Sequence, residues 1–137
     1  MIMNSRKSDV DYGVFINIYY RGVFMQFLAM IYSTEDQDDV DFDTLIGQYA
    51  ALEAEMEAAG VTFSGNALQP VSTATSVRSR NGRVELTDGP YAETKEQLGG
   101  YYLFECESLD EAIRWASKIP SARYGSIEIR PVMEFES

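Results

Sequence analysis

The order of apolar segments along the chain predicts an α+β fold. A strand and a helix come first, a block of strands with a hairpin follows, and a strand, a helix and a last strand close the chain. This order is that of a ferredoxin-like domain with an inserted β-hairpin. The 137 residues suit one domain with a short appendage.

The first 24 residues differ in composition from the rest, and we assign them to an N-terminal extension before a domain at 25–137. Residues 1–11 are polar and mixed in charge, which is typical of a loose arm, and residues 12–24 suit an extended segment. Translation that starts at Met25 is one interpretation of the extension.

The first strand and helix of the domain are predicted from residues 26–60. Residues 26–32 are apolar at alternate positions on both faces, as in a strand that is covered on two sides. The acidic run over 35–43 has the composition of a solvated loop before a helix and lacks the spacing of a calcium loop. A helix is predicted over 42–59, with Gly60 as its left-handed cap. Its apolar stripe comprises Leu45, Tyr49, Leu52, Met56 and Ala59.

A second strand and a hairpin follow the helix. The strand covers 61–68, and the pair 74–80 and 83–86 flanks Asn81-Gly82, a strong two-residue hairpin signal. Residues 87–90 are predicted to form a turn or loop.

The last third of the domain repeats the strand, helix, strand order. Residues 98–106 form a strand, and 108–111 form a capping box that starts a helix running to about Ile119. We expect Ala112, Ile113 and Ala116 to face inward on that helix. The final strand is predicted over 126–135.

One face of the predicted sheet has no helix to cover it. In the first strand, Leu28, Met30 and Tyr32 point to the face opposite that of Phe27, Ala29 and Ile31. In the strand at 98–106, Tyr101 and Leu103 point to the face opposite that of Tyr102 and Phe104. So large an apolar face is unusual on a monomer, and a second copy stacked on it would bury it. We therefore expect a homodimer.

Composition excludes several classes of function. The formal net charge is −11, which disfavours nucleic acid as a partner. The chain has no histidine and a single cysteine, Cys106, so a metal site is improbable, and no cofactor is expected. No secretory signal or membrane span is present in the sequence, which favours a cytoplasmic protein with no membrane partner.

Four segments together resemble the YCII-related, or DGPF-domain, family. They are Gly65–Pro70, Thr87–Glu96, Leu98–Tyr102 and Glu128–Pro131, and the phrase from Asp88 through Tyr102 is the most specific. The fourth position of the DGPF signature holds Tyr91, which keeps an aromatic ring. The resemblance implies a dimeric α+β barrel. It also implies bacterial proteins that are sometimes encoded with, or fused to, extracytoplasmic-function sigma factors.

The family often carries a histidine in the first helix and a second before the last strand, and an aspartate completes a suspected acid/base pair. The matching positions are Tyr49, Tyr124 and Asp88, so the resemblance implies a catalytic role for Asp88 and Tyr49 without the imidazole. A tyrosine with a pKa near 10 is a poor base at neutral pH, but it can donate a proton or polarise a carbonyl.

The candidate residues each have a structural alternative. Asp88 is a candidate acid in a dry cleft, or it accepts backbone hydrogen bonds that fix a turn. Arg78 on the hairpin is a candidate anion ligand, or part of a solvated charged edge. Arg130, which shares a strand face with Glu128, is a cleft residue or an interface ion-pair partner. Tyr101 and Tyr102 line a pocket, or belong to the core or the dimer interface.

The sequence thus favours a small-molecule-binding dimeric α+β barrel, with acid/base chemistry at Asp88 as one hypothesis. The alternative is a non-catalytic binding or regulatory module that serves a sigma factor or another transcription partner. Its basis is the absence of histidine and of an activated nucleophile.

Overall fold

The computed structural model describes residues 24–35 and 40–135. Over these residues the chain forms six strands, two α-helices and two 3-10 turns, at Val71–Thr73 and Pro120–Arg123. The strands are β1 (Met25–Ser33), β2 (Thr62–Ala67), β3 (Thr75–Arg80), β4 (Arg83–Asp88), β5 (Gln97–Cys106) and β6 (Ser126–Pro131). The helices are α1 (Phe42–Ala58) and α2 (Leu109–Ala116). The predicted arm and extended segment, apart from Phe24, and the middle of the acidic run lie outside the described residues.

The main sheet has the strand order β2-β5-β1-β6, and every neighbouring pair in it is antiparallel. In its centre, Ala29 of β1 lies opposite Tyr102 of β5 and Ile129 of β6. Two of the connections between its strands contain α1 and α2. This arrangement confirms the predicted α+β class and is consistent with a ferredoxin-like fold.

β3 and β4 pair with each other outside the main sheet, as predicted for an inserted hairpin. Asn81 and Gly82 form its turn, with φ of 52° and 75°. Positive φ at both central residues is the requirement of the type I′ turn that Asn-Gly favours.

The core lies between the main sheet and the helices. From β1, the alternate residues Phe27, Ala29 and Ile31 point into it. The other buried apolar residues come from β5, α1, α2 and the turn that follows: Tyr102, Phe104, Cys106, Leu52, Met56, Ala112, Ala116 and Ile119. The opposite face of β1, with Leu28 and Met30, is half-buried.

Both helices begin at side-chain caps. Asp41 accepts hydrogen bonds from the backbone N–H and the hydroxyl of Thr44, at 2.9 and 2.7 Å, and these bonds lower the pKa of Asp41. Ser108 accepts from the backbone N–H of Glu111 at 3.2 Å, and Glu111 accepts in turn from the N–H of Glu107 at 2.8 Å. The predicted capping box therefore forms, although its return bond reaches one residue further than expected.

The end of α2 differs from the prediction. The helix stops at Ala116, and Ile119 donates its N–H to the Ala116 carbonyl in a tighter turn. Ile113, predicted to face inward, is 47% exposed. Ala112 and Ala116 are the buried residues of the helix, Trp115 packs against the core beside them, and the turn that follows brings Ile119 into the core.

The final strand is also shorter than predicted. β6 ends at Pro131 instead of continuing to residue 135. One further bond, from the N–H of Val132 to the carbonyl of Gln26, completes its pairing with β1. In the described part of the chain, no helix is both long and apolar enough to span a bilayer.

Candidate functional site

A groove of about 570 Å³ lies between α1 and the facing ends of β2 and β5, and we refer to it as the tyrosine groove. One wall is formed by residues of α1: Phe42, Leu45, Ile46, Tyr49, Ala50 and Glu53. The other wall is formed by residues of the sheet: Gly65, Asn66, Ala67, Gly99, Tyr101 and Tyr102. Its volume suits a small organic molecule.

Tyr102 and Glu53 join the two walls of the tyrosine groove. The Tyr102 hydroxyl donates a hydrogen bond to Glu53 Oε2 at 2.6 Å. Glu53 follows Tyr49 by four residues on α1, so both side chains lie on the helix face that meets the sheet. The groove therefore contains a carboxylate beside two phenol groups.

Stacking holds the Tyr102 ring in place. Its centroid lies 6.3 Å from that of Tyr49, with 27° between the planes, and 5.7 Å from that of Phe104, with 14° between the planes. Phe63 meets the same ring edge-on at 6.1 Å. A ring fixed by these contacts presents its hydroxyl in one position.

Tyr49 is anchored at its hydroxyl as well as at its ring. Its oxygen lies 2.8 Å from Oγ of Ser121, which is buried in the 3-10 turn before β6. This hydrogen bond ties α1 to the segment that leads into the last strand. Contacts within the protein thus hold the aromatic side chains of the groove in place.

A glycine creates the space in which the Tyr102 ring lies. A Cβ at Gly65 would stand 2.4 Å from the Tyr101 carbonyl oxygen and 2.6 Å from Cδ1 of the Tyr102 ring. Both distances are far below van der Waals contact, so any side chain here would displace the ring or the neighbouring strand. Gly65 therefore belongs to the architecture of the site.

The electrostatic setting keeps both phenols neutral. Burial, and then the hydrogen bond and negative charge of Glu53, raise the pKa of Tyr102 well above its ordinary value. Burial raises the pKa of Tyr49, and its hydrogen bond to Ser121 offsets part of that increase. Phenols in this state act as hydrogen-bond donors and not as bases at neutral pH.

Tyr101 lies at the rim of the tyrosine groove. Its hydroxyl accepts a hydrogen bond from Asn66 Nδ2 at 3.1 Å, between paired residues of β2 and β5. Of the residues singled out in the sequence, the structure thus brings Tyr49, Tyr101 and Tyr102 to one groove.

Asp88 lies elsewhere. It ends β4 opposite Thr75, where a loop was predicted, because the hairpin ladder continues two residues further than the sequence indicated. Its side chain is exposed, so the expectation of a dry cleft around it is wrong for the single chain. Beside it, the Ser76 hydroxyl donates to the Gly89 carbonyl at 2.8 Å, and the N–H of Gly89 donates to the Ala74 carbonyl at 2.7 Å.

The two candidate arginines also lie away from the tyrosine groove. The Arg78 guanidinium on the hairpin is 5.4 Å from the ring centroid of Tyr91, which is 80% exposed. Arg130 is exposed on β6, opposite Leu28 of β1 and on the sheet face remote from the helices. Tyr124, the second family histidine position, is 36% exposed.

Sequence reasoning missed Glu53 and Ser121. The spacing of Glu53, four residues after Tyr49 and eight after Leu45, was a signal that it shares their helix face. Ser121 gave no such signal, because it lies 72 residues from Tyr49 in a turn that was predicted to be a connection.

The single cysteine of the chain is a core residue. Burial raises the pKa of the Cys106 thiol to about 12; the Glu111 carboxylate adds to the increase and Arg114 opposes it. Within residues 24–35 and 40–135, no three Cys, His, Asp or Glu side chains are placed to bind a metal ion together.

The sequence of this chain is similar to that of known proteins. An uncharacterized protein of Rhizobium meliloti (strain 1021) is 46% identical over 67 residues, which cover 47% of this chain and 54% of that protein. The chain thus matches about half the length of this curated relative. The model of the YCII-related domain matches residues 25–136. The chain therefore belongs to the YCII-related domain family.

Proposed function

We propose that this protein binds a small organic molecule in the tyrosine groove. The observation that carries the proposal is the Tyr102–Glu53 hydrogen bond at 2.6 Å, which places a carboxylate and a fixed phenol inside a mostly apolar groove. A concave, mostly apolar site with a few convergent polar groups is the usual form of a ligand site.

The aromatic walls favour a flat ligand. Tyr49 and Tyr102 already stack on each other, and Tyr101 lies at the rim, so a planar group could add to the stack or meet a ring edge. Tyr49, at the position of a family histidine, would serve as a neutral hydrogen-bond donor, since its raised pKa keeps its proton in place.

Binding is better supported than acid/base catalysis at Asp88. In one chain Asp88 is exposed and is not among the residues that line the groove. A catalytic role would require a second copy to enclose it beside a ligand. The regulatory alternative has no specific observation in its favour.

We also propose that the protein is a homodimer with a barrel formed by two main sheets. Leu28 and Leu103 are directly opposed on the face of the sheet that the helices leave open. The hairpin adds an exposed apolar set on one of its faces, formed by Val77, Val84 and Leu86. A two-stranded hairpin alone is marginally stable in water, so a partner surface would stabilise it.

A groove-filling variant tests the binding proposal. Ala50 lines the groove and is exposed, so Ala50→Trp should fill the space; Ala58→Trp, near the end of the same helix, is the matched control. Ligand-observed NMR with a library of planar aromatic fragments should give saturation transfer from the wild type and the control. The signals should be lost with Ala50→Trp. Equal signals from all three proteins, or none from the wild type, would reject the proposal.

A further inference from the structure

We infer that the ligand of the tyrosine groove is an organic cation, an ammonium or amidinium group on an aromatic or other flat apolar body. This inference rests on the proposed function and specifies its ligand class. It is carried by the position of the Glu53 carboxylate and by the absence of a positive group beside it.

Glu53 is the charged side chain of the groove. Among the described residues that line the groove there is no lysine or arginine. The one described hydrogen bond to its carboxylate comes from Tyr102, a neutral donor, onto Oε2. Within the described part of the chain, no cation neutralises the Glu53 carboxylate. Tyr102 donates to Oε2, and the other carboxylate oxygen can accept a hydrogen bond from a ligand.

Glu55, two residues after Glu53 on the same helix, differs from Glu53 in having a cationic partner. Its carboxylate forms an ion pair with Lys118, and both side chains are about half exposed. Glu55 therefore has a cationic partner in the structure, whereas no described lysine or arginine forms an ion pair with Glu53.

The walls around Glu53 suit a cation as well. The faces of aromatic rings attract cations, and Tyr49 and Phe42 of α1 line the groove together with the carboxylate. Low-dielectric walls strengthen the field of a charge that they partly enclose. The formal net charge of −11 adds a long-range attraction for cations and opposes the approach of anions.

Three probes of similar size and shape separate charge from shape: 2-phenylethylamine, 2-phenylethanol and 3-phenylpropanoate. The full-length protein is titrated with each at low salt, and Kd is measured by NMR chemical-shift changes. We expect the amine to bind at least about tenfold more tightly than the alcohol, the propanoate to bind more weakly than either, and the preference for the amine to shrink as salt is added.

Two substitutions assign the preference to Glu53. Glu53→Gln keeps an acceptor for the Tyr102 hydroxyl and should remove the preference by weakening the amine far more than the alcohol. Glu57→Gln, an exposed site on the same helix outside the groove, is the control for net charge and should retain the preference.

The outcomes separate this inference from the proposed function. If all three probes bind equally, or if Glu53→Gln keeps the preference for the amine, the cationic ligand is rejected while groove binding stands. If no probe binds the wild type more tightly than it binds Ala50→Trp, the proposed function fails and the inference fails with it.

Discussion

The hydroxyl of Tyr102 and the carboxylate of Glu53 join the main sheet to the first helix. Their 2.6 Å hydrogen bond spans 49 residues of sequence and is partly buried. The bond fixes the distance between the two walls of the tyrosine groove, so it contributes to stability as well as to ligand binding. The two contributions can be measured separately.

Tyr102→Phe should lower the free energy of unfolding by about 1–2 kcal/mol, because it removes a hydrogen bond to a charged acceptor and keeps the stacked ring. Glu53→Gln retains an acceptor and should cost less. Urea denaturation of both single variants and the double variant gives the coupling energy of the pair. Strictly additive effects would mean that the carboxylate holds the Tyr102 hydroxyl no more strongly than the neutral amide does.

Alkaline pH should destabilise the protein through the same residue. The pKa of Tyr102 is raised in the folded chain, so above pH of about 10 the unfolded chain loses this proton while the folded chain keeps it. The free energy of unfolding should therefore fall with rising pH, by up to about 1.4 kcal/mol per unit for this group.

The Tyr102→Phe variant is the comparison for that pH dependence. Its slope above pH of about 10 should be shallower than that of the wild type, and the difference in stability between the two should be constant between neutral pH and pH of about 9. Denaturant unfolding at a series of pH values checks this. Parallel curves throughout the alkaline range would contradict the assigned cause.

Gly125 and Gly47 should respond in opposite ways to substitution by alanine. A Cβ at Gly125 would stand 1.9 Å from the Tyr32 carbonyl oxygen and 2.9 Å from Ser33 Cα, backbone atoms that cannot move aside without shifting β1. Gly125→Ala should cost at least about 2 kcal/mol or prevent folding. Gly47, inside α1, has no atom within 4 Å of a Cβ, so Gly47→Ala should stabilise by about 0.5–1 kcal/mol. Chemical denaturation of both variants measures the difference, and similar effects would contradict the packing at Gly125.

The elements that could be predicted from sequence are those with strong local signals. The Asn81-Gly82 turn, the Ser108 cap and the alternation in β1 each depend on neighbours within a few residues. Ile113 was misplaced because its spacing fits the inward face, whereas the helix buries Ala112 and Ala116 and leaves Ile113 exposed. The rotation of a helix against its sheet is set by tertiary packing, which the local sequence does not determine.

The candidate site shows the same division. Tyr49, Tyr101 and Tyr102 were identified as aromatic residues of a helix or strand, but their partners Glu53 and Ser121 depend on how distant elements pack. The residue at which a hairpin ends also cannot be predicted from the local sequence. Asp88 pairs with Thr75 in the ladder and does not enter the predicted loop, since backbone hydrogen bonding continues to Gly89.

Cys106 should be inert toward thiol reagents in the folded protein. Its side chain is fully buried, and a pKa of about 12 leaves almost no thiolate near pH 8. Because it is the only cysteine in the sequence, the rate of reaction with Ellman's reagent reports on this site alone. We expect labelling in denaturant to be complete while the native protein reacts only as fast as it opens. Rapid labelling without denaturant would contradict this burial.

Self-association should depend on the sheet face that the helices leave open. Leu103 is half-buried there and lies opposite Leu28, so a second sheet stacked on this face would bury both side chains. Leu103→Lys would place a charge in that interface without a partner, whereas Ile113→Lys makes the same kind of change on the exposed side of α2. In sedimentation equilibrium at micromolar concentration, we expect the wild type and Ile113→Lys to be dimers and Leu103→Lys to be a monomer. Circular dichroism should show that the Leu103→Lys monomer is folded. A monomeric wild type, or a Leu103→Lys dimer of unchanged affinity, would show that this face is not the interface.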